Sequence, residues 1–529
     1  MAGGASQSQA VVFTTVGCPF CKRVKDLLKA KQISYDDIEL SADAELRKEV
    51  KAAAGSHTVP QVFVGGQCLG GATDVEALQQ CGKLVELLAG SSAPALPAVL
   101  QKAVDIARSR AKESKDRQFA PPAISMVVRQ LPGDADQTAG SKHEAQVYQS
   151  FRDVAMRMRA PKTGVPRRSL ALGLFHSAAA SFSFQEAVDW LAQQGHEQLL
   201  QKPVEQLRAL QLLQLVTIVR PGGADIQQLH AGPDQKAILR CTRDCPWASP
   251  GAVLNGHYKW HGDSRPAAQV AENLRLWILE LYEGHLAEDG SSVDYKGIRS
   301  DPAFADYVDA TAELQQVNLA AMSEPERKAF WINMYNMMVV HALSTWGSPK
   351  NFIQRLSWFS QIKYNIGGRD YTTNDIEHGM LRANAPSPTS LAVLLGQDQW
   401  ASGALASSDP RLAYSVARRD PRIHFALVCG AKSCPPIKVY TADSLEEGLD
   451  NAAAAFCSGD IEIDVHNKRV TLSKIFKWYA MDFGTHSQLL SWLHNYLPDE
   501  KKSQMDSLLT APSDVQYAYR PYDWDTNSA

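Results

Sequence analysis

The run Cys18-Pro19-Phe20-Cys21 limits what this chain can be more than any other stretch. It follows an apolar run, Ala10 to Thr14, that reads as a strand, and it opens an amphipathic stretch, Phe20 to Lys31, that reads as a helix. Two cysteines one helical turn apart are close enough to touch. First-turn amides have no partner inside the helix. Together with the helix dipole they favour a thiolate over a thiol at Cys18. Cys21 can then attack a mixed disulfide formed on Cys18, which is the minimum that thiol–disulfide exchange requires. Taken alone, a C-x-x-C pair also fits a buried structural pair or half a metal site.

The neighbouring residues narrow that choice. Tyr35 to Leu40 reads as a strand and Ala44 to Ala53 as a helix. Thr58-Val59-Pro60 comes next, then a strand from Gln61 to Val64, then Gly70-Gly71 and Asp74. This ordered set resembles a dithiol glutaredoxin over residues 9–89. The resemblance implies a thioredoxin-like α/β fold and a glutathione-dependent thiol–disulfide oxidoreductase with Cys18 and Cys21 as its catalytic pair. It also implies that Pro60 is a cis proline facing the cysteines and that the Val59 backbone pairs with the cysteinyl part of glutathione. Thr73 and Asp74, after Gly71, would hold the γ-glutamyl end, and Arg47 the glycyl carboxylate. Phe20 and Thr58 complete the expected glutathione site. One position departs from the pattern: Thr15 stands where the family usually has a lysine, so a cation beside Cys18 is lost. Pro19 argues against iron–sulfur cluster binding, since the family's cluster-binding members generally lack a proline there.

The chain has 529 residues, enough for about three to four domains. A net charge of −3 gives no general attraction to nucleic acid. Nine cysteines, thinly spread, are not a secreted disulfide framework and suit a reducing compartment. Met1 to Gln9 has neither the basic start nor the apolar core of a signal peptide. The expected location is cytoplasmic. The apolar stretch Ala329 to Trp346 holds Asn333, Asn336 and His341, so it reads as a buried helix and not a membrane span.

Residues 90–141 read as a linker carrying one helix, and 142–239 as a second domain. There Ser183 and Glu186 have capping-box spacing, and Val188 and Leu191 form an apolar face. The run Phe182-Ser183-Phe184-Gln185-Glu186-Ala187-Val188-Asp189-Trp190-Leu191 resembles a DEP domain, a winged-helix-like signalling module; the wing expected near Asp225 to Arg240 fits it poorly. The resemblance implies docking to a membrane surface or receptor. Arg152, Arg157, Arg159, Lys162, Arg167 and Arg168 cluster against Asp153 and are either a lipid-facing patch or a solvated basic face. Nucleic acid is not an expected partner, since no aromatic interleaving accompanies the charge.

Residues 240–265 read as a second linker. Cys241, Cys245, His257 and His261 have near zinc-finger spacing, but Pro246, Pro250, Gly251 and Gly256 leave no helix to carry the histidines, so no metal is expected.

Residues 266–509 read as a third, α+β domain, and 510–529 as a C-terminal tail. At 100° per residue Asn333, Asn336, Met337, Val340 and His341 share one helix face, and a buried polar stripe must find partners. Asn374 and Glu377 have capping spacing; Asp420 to Val428 reads as a buried strand with His424 as its only polar interior residue, running into the loop of Cys429 and Cys434. These segments resemble the domain of unknown function 547, which implies no activity. Two readings stand for them. His424, Cys434 and Glu377 could form a Cys/His nucleophile set of a hydrolase or transferase, or the same residues could be a structural hydrogen-bond network. Cys68 and Cys81 read as packing residues.

The function expected for the whole chain is a glutathione-dependent oxidoreductase acting on glutathionylated or disulfide-bonded proteins, coupled to a DEP signalling module. The alternative is a redox-sensing adaptor with little turnover.

Overall fold

The computed structural model describes residues 10–529 except 16–18, 41–43, 56–58, 90–95, 116–140, 160–164, 167, 172–176, 194–201, 214, 219–237, 242–247, 257, 261–263, 288–291, 350–351, 389–402, 435–436, 438–439 and 524. Cys18, Thr58, Cys245, His257, His261, Lys162, Arg167 and most of the expected wing therefore lie outside the described residues.

Strands β1 (Ala10–Thr14), β2 (Tyr35–Glu39), β3 (Gln61–Val64) and β4 (Gln67–Gly70) form one sheet in the order β2-β1-β3-β4. β1 runs parallel to β2 and antiparallel to β3. Every residue of β1 is buried because both faces of the sheet are covered. Ala10 and Val12 face a core containing Val24 and Leu28 of helix α1 (Pro19–Ala30) and Val75 of helix α3 (Ala72–Gln80). Val11 and Phe13 face the opposite core, with Leu46 and Val50 of helix α2 (Ala44–Ala54). That second core also takes Leu100 and Val104, from the helix Ala98–Lys115 within the expected linker. This unit is thioredoxin-like, with a mixed sheet between helices.

The central unit has the helix Ser141–Met158, an antiparallel sheet including Ser177–Ser183 and Ile238–Cys241, and the helices Phe184–Gln193 and Pro203–Leu212. The capping box read from the sequence is present: Ser183 N–H donates to the Glu186 carboxylate at 2.7 Å and Glu186 N–H to Ser183 Oγ at 3.2 Å. Arg152 of the basic cluster forms an ion pair with Asp306 of the C-terminal unit.

The C-terminal unit is built around the helix Glu324–Trp346, buried from Ala329 through Thr345. Its polar stripe finds backbone partners. Asn333 Nδ2 donates to Tyr440 O at 2.7 Å. Asn336 donates to Ala426 O at 3.0 Å and accepts from Val428 N–H at 2.9 Å. His341 meets the Tyr364 hydroxyl at 2.7 Å. A second core forms where the helix Leu445–Asp460 and the helix His486–Tyr496 pack on the strand Arg469–Ser473. The segment read as a tail adds a strand, Gln516–Arg520, parallel to Arg469–Ser473. Within the second expected linker, Asn255 is buried and bonds the backbone of Thr311 and Asn365. Among the described residues no helix is long and apolar enough to cross a membrane.

Two local expectations are corrected. The segment carrying His424 is not a strand: Pro421–Phe425 is a 3-10 helix whose Asp420 side chain accepts from Arg422 N–H. Asp followed by Pro is a helix-start pair, an N-cap and a residue whose missing N–H costs nothing in the first turn. Asn374 does not cap the next element with Glu377. The reciprocal pair is Thr372 and Asp375, at 2.9 and 3.0 Å, and it opens a π-helix over Asp375–Leu381.

Candidate functional site

The sheet register gathers the N-terminal candidate residues at one end. Phe13 pairs with Gln61, so the chain leaving β1 toward the first cysteine lies beside the chain entering β3 through Pro60. The Val59–Pro60 bond is cis. Val62 pairs with Gly70, which brings Gly71 against Pro60; a Cβ on Gly71 would lie 3.5 Å from the Pro60 carbonyl. Pro60 is buried, Val59 and Gly71 are half-buried, and Thr73 and Asp74 are exposed at the start of α3.

Cys21 is fully buried in the first turn of α1. Phe20 beside it is 52% exposed. Arg47 is half-buried on α2 and donates to Leu40 O at 3.0 Å. Cys68 donates to Gln61 Oε1 at 3.3 Å, and burial raises its pKa. Cys81 is exposed and not packed, contrary to expectation, because it lies beyond the last turn of α3.

Asp74 performs a structural task here. Its carboxylate accepts from Gly71 N–H at 2.8 Å and caps α3. Gly70 has φ +98°, and a Cβ there would lie 2.4 Å from Asp74 Oδ2. Gly70→Ala is therefore expected to strain the backbone and displace the cap. The N-terminal unit should lose about 1–3 kcal/mol, read as a lower unfolding midpoint, with the C-terminal transition unchanged.

A second constellation lies in the C-terminal unit, and Asp482 is its hub. Arg382 grips the Asp482 carboxylate through Nε at 2.5 Å and Nη2 at 3.0 Å; both side chains are almost wholly buried. Arg419 adds a contact at 3.3 Å and His424 Nε2 one at 2.8 Å. Burial alone would raise the Asp482 pKa, but the His424 and Arg382 hydrogen bonds outweigh it and hold the carboxyl well below the usual range. Arg382 Nη1 also meets His378 Nδ1 at 3.1 Å. A guanidinium only donates, so Nδ1 accepts and the proton sits on Nε2. Burial lowers the His378 pKa, which agrees with that neutral form.

Tyr479 joins the two expected residues of this region. Its ring stacks on His424 at 3.8 Å between centroids, and its hydroxyl donates to Glu377. Glu377 is thus buried in a network and caps nothing. Burial pushes its pKa up, but the hydrogen bond from the Tyr479 hydroxyl and the nearby Arg382 guanidinium bring it below its ordinary value.

Cys434 is held elsewhere. It bonds Cys429 and the Tyr522 hydroxyl, while His424 bonds Asp482, so the two are not a hydrogen-bonded nucleophile–base pair. Asp482, Arg382 and Tyr479 do for Glu377 and His424 what the sequence reading assigned to no residue. The signal for Arg382 was its place four residues after His378. Among the described residues no group of His, Cys, Asp and Glu could hold a metal ion.

Comparison with known proteins gives two family matches. Residues 10–69 match glutaredoxin, and residues 319–457 match a protein family of unknown function, DUF547. A glutaredoxin of Pseudomonas aeruginosa is 44% identical over 78 residues, 15% of this chain and 93% of that protein. Glutaredoxin 3 of Escherichia coli K12 is 38% identical over 77 residues, 15% of this chain and 93% of the relative. Among solved structures, a buckwheat glutaredoxin–glutathione complex is 34% identical, covers 16% of this chain and 82% of its own, and has a TM-score of 0.16.

Proposed function

Because this chain belongs, through its N-terminal unit, to the glutaredoxin family and carries there a glutaredoxin-type thiol oxidoreductase, we propose that its reductant is glutathione and its substrates are glutathionylated or disulfide-bonded proteins. The carrying observation is the meeting of three segments at one sheet end: the exit of β1 toward the first cysteine, Val59–Pro60 and Gly71–Asp74. Cys18 attacks the sulfur of the mixed disulfide that belongs to glutathione and releases the protein thiol. A second glutathione, or Cys21, then resolves the Cys18–glutathione bond. Val59 offers backbone to the cysteinyl part, Thr58 and Phe20 border it, Thr73 and Asp74 take the γ-glutamyl end, and Arg47 the glycyl carboxylate. Thr15 supplies no cation, so the helix start alone must favour the thiolate.

In this reading the central unit is a DEP-like docking module for a membrane surface or receptor, and the protein works in the cytoplasm. The order helix, hairpin, two helices, two strands and the Ser183–Glu186 capping box support the module. The Arg152–Asp306 pair removes one cation from its basic face.

Trapping tests the chemistry. Full-length Cys21→Ser protein is incubated with a glutathionylated peptide and analysed by intact mass. The expected result is one glutathione adduct, on Cys18. No adduct on Cys18, with the peptide still glutathionylated, would reject the reading.

A further inference from the structure

The loop after the 3-10 helix Pro421–Phe425 brings two cysteines together far from the N-terminal pair in sequence. Cys429 Sγ and Cys434 Sγ are 2.8 Å apart. A disulfide needs about 2.05 Å, so closing the bond asks for a movement of roughly 0.8 Å. The loop is shaped for this approach. Cys434 N–H donates to Ala431 O at 3.0 Å, and the Cys429 amide donates to Cys434 Sγ at 3.2 Å. Gly430 turns the chain at φ +76°, where a Cβ would strike Leu343 of the buried helix at 2.7 Å.

The polar surroundings are asymmetric. Cys434 Sγ receives the Cys429 amide and faces the Tyr522 hydroxyl at 3.5 Å; Cys429 Sγ faces that hydroxyl at 3.8 Å. The Cys429 thiol, the Tyr522 hydroxyl and the amide lower the Cys434 pKa against the effect of burial. The same pairing, with burial, pushes Cys429 up. Both residues are half-buried overall, but their thiol groups themselves are deeply buried, so a small disulfide reaches them when the Cys429–Cys434 loop gives way locally. The C-terminal residues strap the loop in place: Asn527 N–H donates to Gly430 O at 2.9 Å and Lys432 N–H to Asp525 O at 2.8 Å. Among the described residues no third ligand joins the sulfurs in a metal-holding set.

We propose that Cys429 and Cys434 are a second redox-active pair, in which Cys434 attacks a small disulfide such as glutathione disulfide and Cys429 resolves the product. In the first step the Cys434 thiolate bonds one glutathione sulfur and the other leaves as thiolate. In the second, Cys429 gives up its proton, its sulfur bonds Cys434, and the second glutathione thiolate leaves. Two electrons pass from the protein pair to the disulfide, and two glutathione thiols form. Tyr522 donates to whichever sulfur carries the charge.

The test uses full-length Cys18→Ser protein, so its outcome does not depend on the N-terminal chemistry. The protein is exposed to excess glutathione disulfide, remaining thiols are alkylated, and peptides are mapped by mass. The expected product is a Cys429–Cys434 disulfide that reverses with dithiothreitol. Cys429→Ser should accumulate glutathione on Cys434, and Cys434→Ser should leave Cys429 unmodified. Tyr522→Phe, which keeps the ring, should slow alkylation of Cys434 near neutral pH several-fold. Finding both cysteines still alkylatable while exposed Cys81 is modified would overturn the proposal. So would equal reactivity of the two single variants.

Discussion

Replacing Arg382 by Met is expected to lower the stability of the C-terminal unit by about 3–5 kcal/mol, the usual result of removing one partner from a buried ion pair. Asp482 would keep only His424 and the more exposed Arg419 around a carboxylate that is itself 1% exposed. Met fills much of the same volume, so the loss reports the stranded charge more than a cavity. The double variant Arg382→Met/Asp482→Leu should recover a large part of it, and the cycle isolates the pair. The pH dependence has a definite sign. Asp482 and Glu377 both have lowered folded-state pKa values, so their contribution is complete above the ordinary carboxylate range. It is lost as pH falls from about 4 toward the lower folded-state values. The gap between wild type and Arg382→Met should therefore narrow below about pH 4. Denaturant midpoints read by tryptophan fluorescence at several pH values check this, and a constant gap down to the lowest pH would count against it.

Asn336→Leu should be nearly as damaging. The substitution leaves the Ala426 carbonyl and the Val428 amide without their partner in a buried place. Each such loss costs about 1–3 kcal/mol, so about 2–6 kcal/mol is expected for the two. The freed backbone leads directly into Cys429. Alkylation of Cys429 and Cys434 should therefore speed up in this variant before global unfolding is measurable. An unchanged midpoint together with unchanged alkylation would mean that Asn336 does not fix this segment.

Much of this structure could be read from particular residues. The apolar run Ala10 to Thr14 told of a strand, which the structure buries on both faces, and Ser183 with Glu186 told of a helix start. The asparagines of the helix Glu324–Trp346 announced that partners were needed, although not that they would be the Tyr440 and Ala426 carbonyls. What stayed hidden depended on long-range geometry. Glu377 and Tyr479 are 102 residues apart, and His424 and Asp482 are 58 apart. No local pattern encodes such a meeting. The strand reading around His424 failed because apolar content was weighed above the Asp420-Pro421 start signal. Cys434 and His424 looked like partners because the segment of His424 runs into the loop of Cys434, yet the turn at Gly430 leaves the sulfur against Cys429 and Tyr522.

The most direct measurement of the central claim is glutathione-dependent reduction of a small mixed disulfide by the full-length protein, beside Cys18→Ser and Cys21→Ser. The account predicts steady turnover that falls steeply with Cys18→Ser and persists with Cys21→Ser, because a second glutathione can do the resolving step. Turnover undiminished by Cys18→Ser would contradict it, as would an intact protein that does not turn over at all.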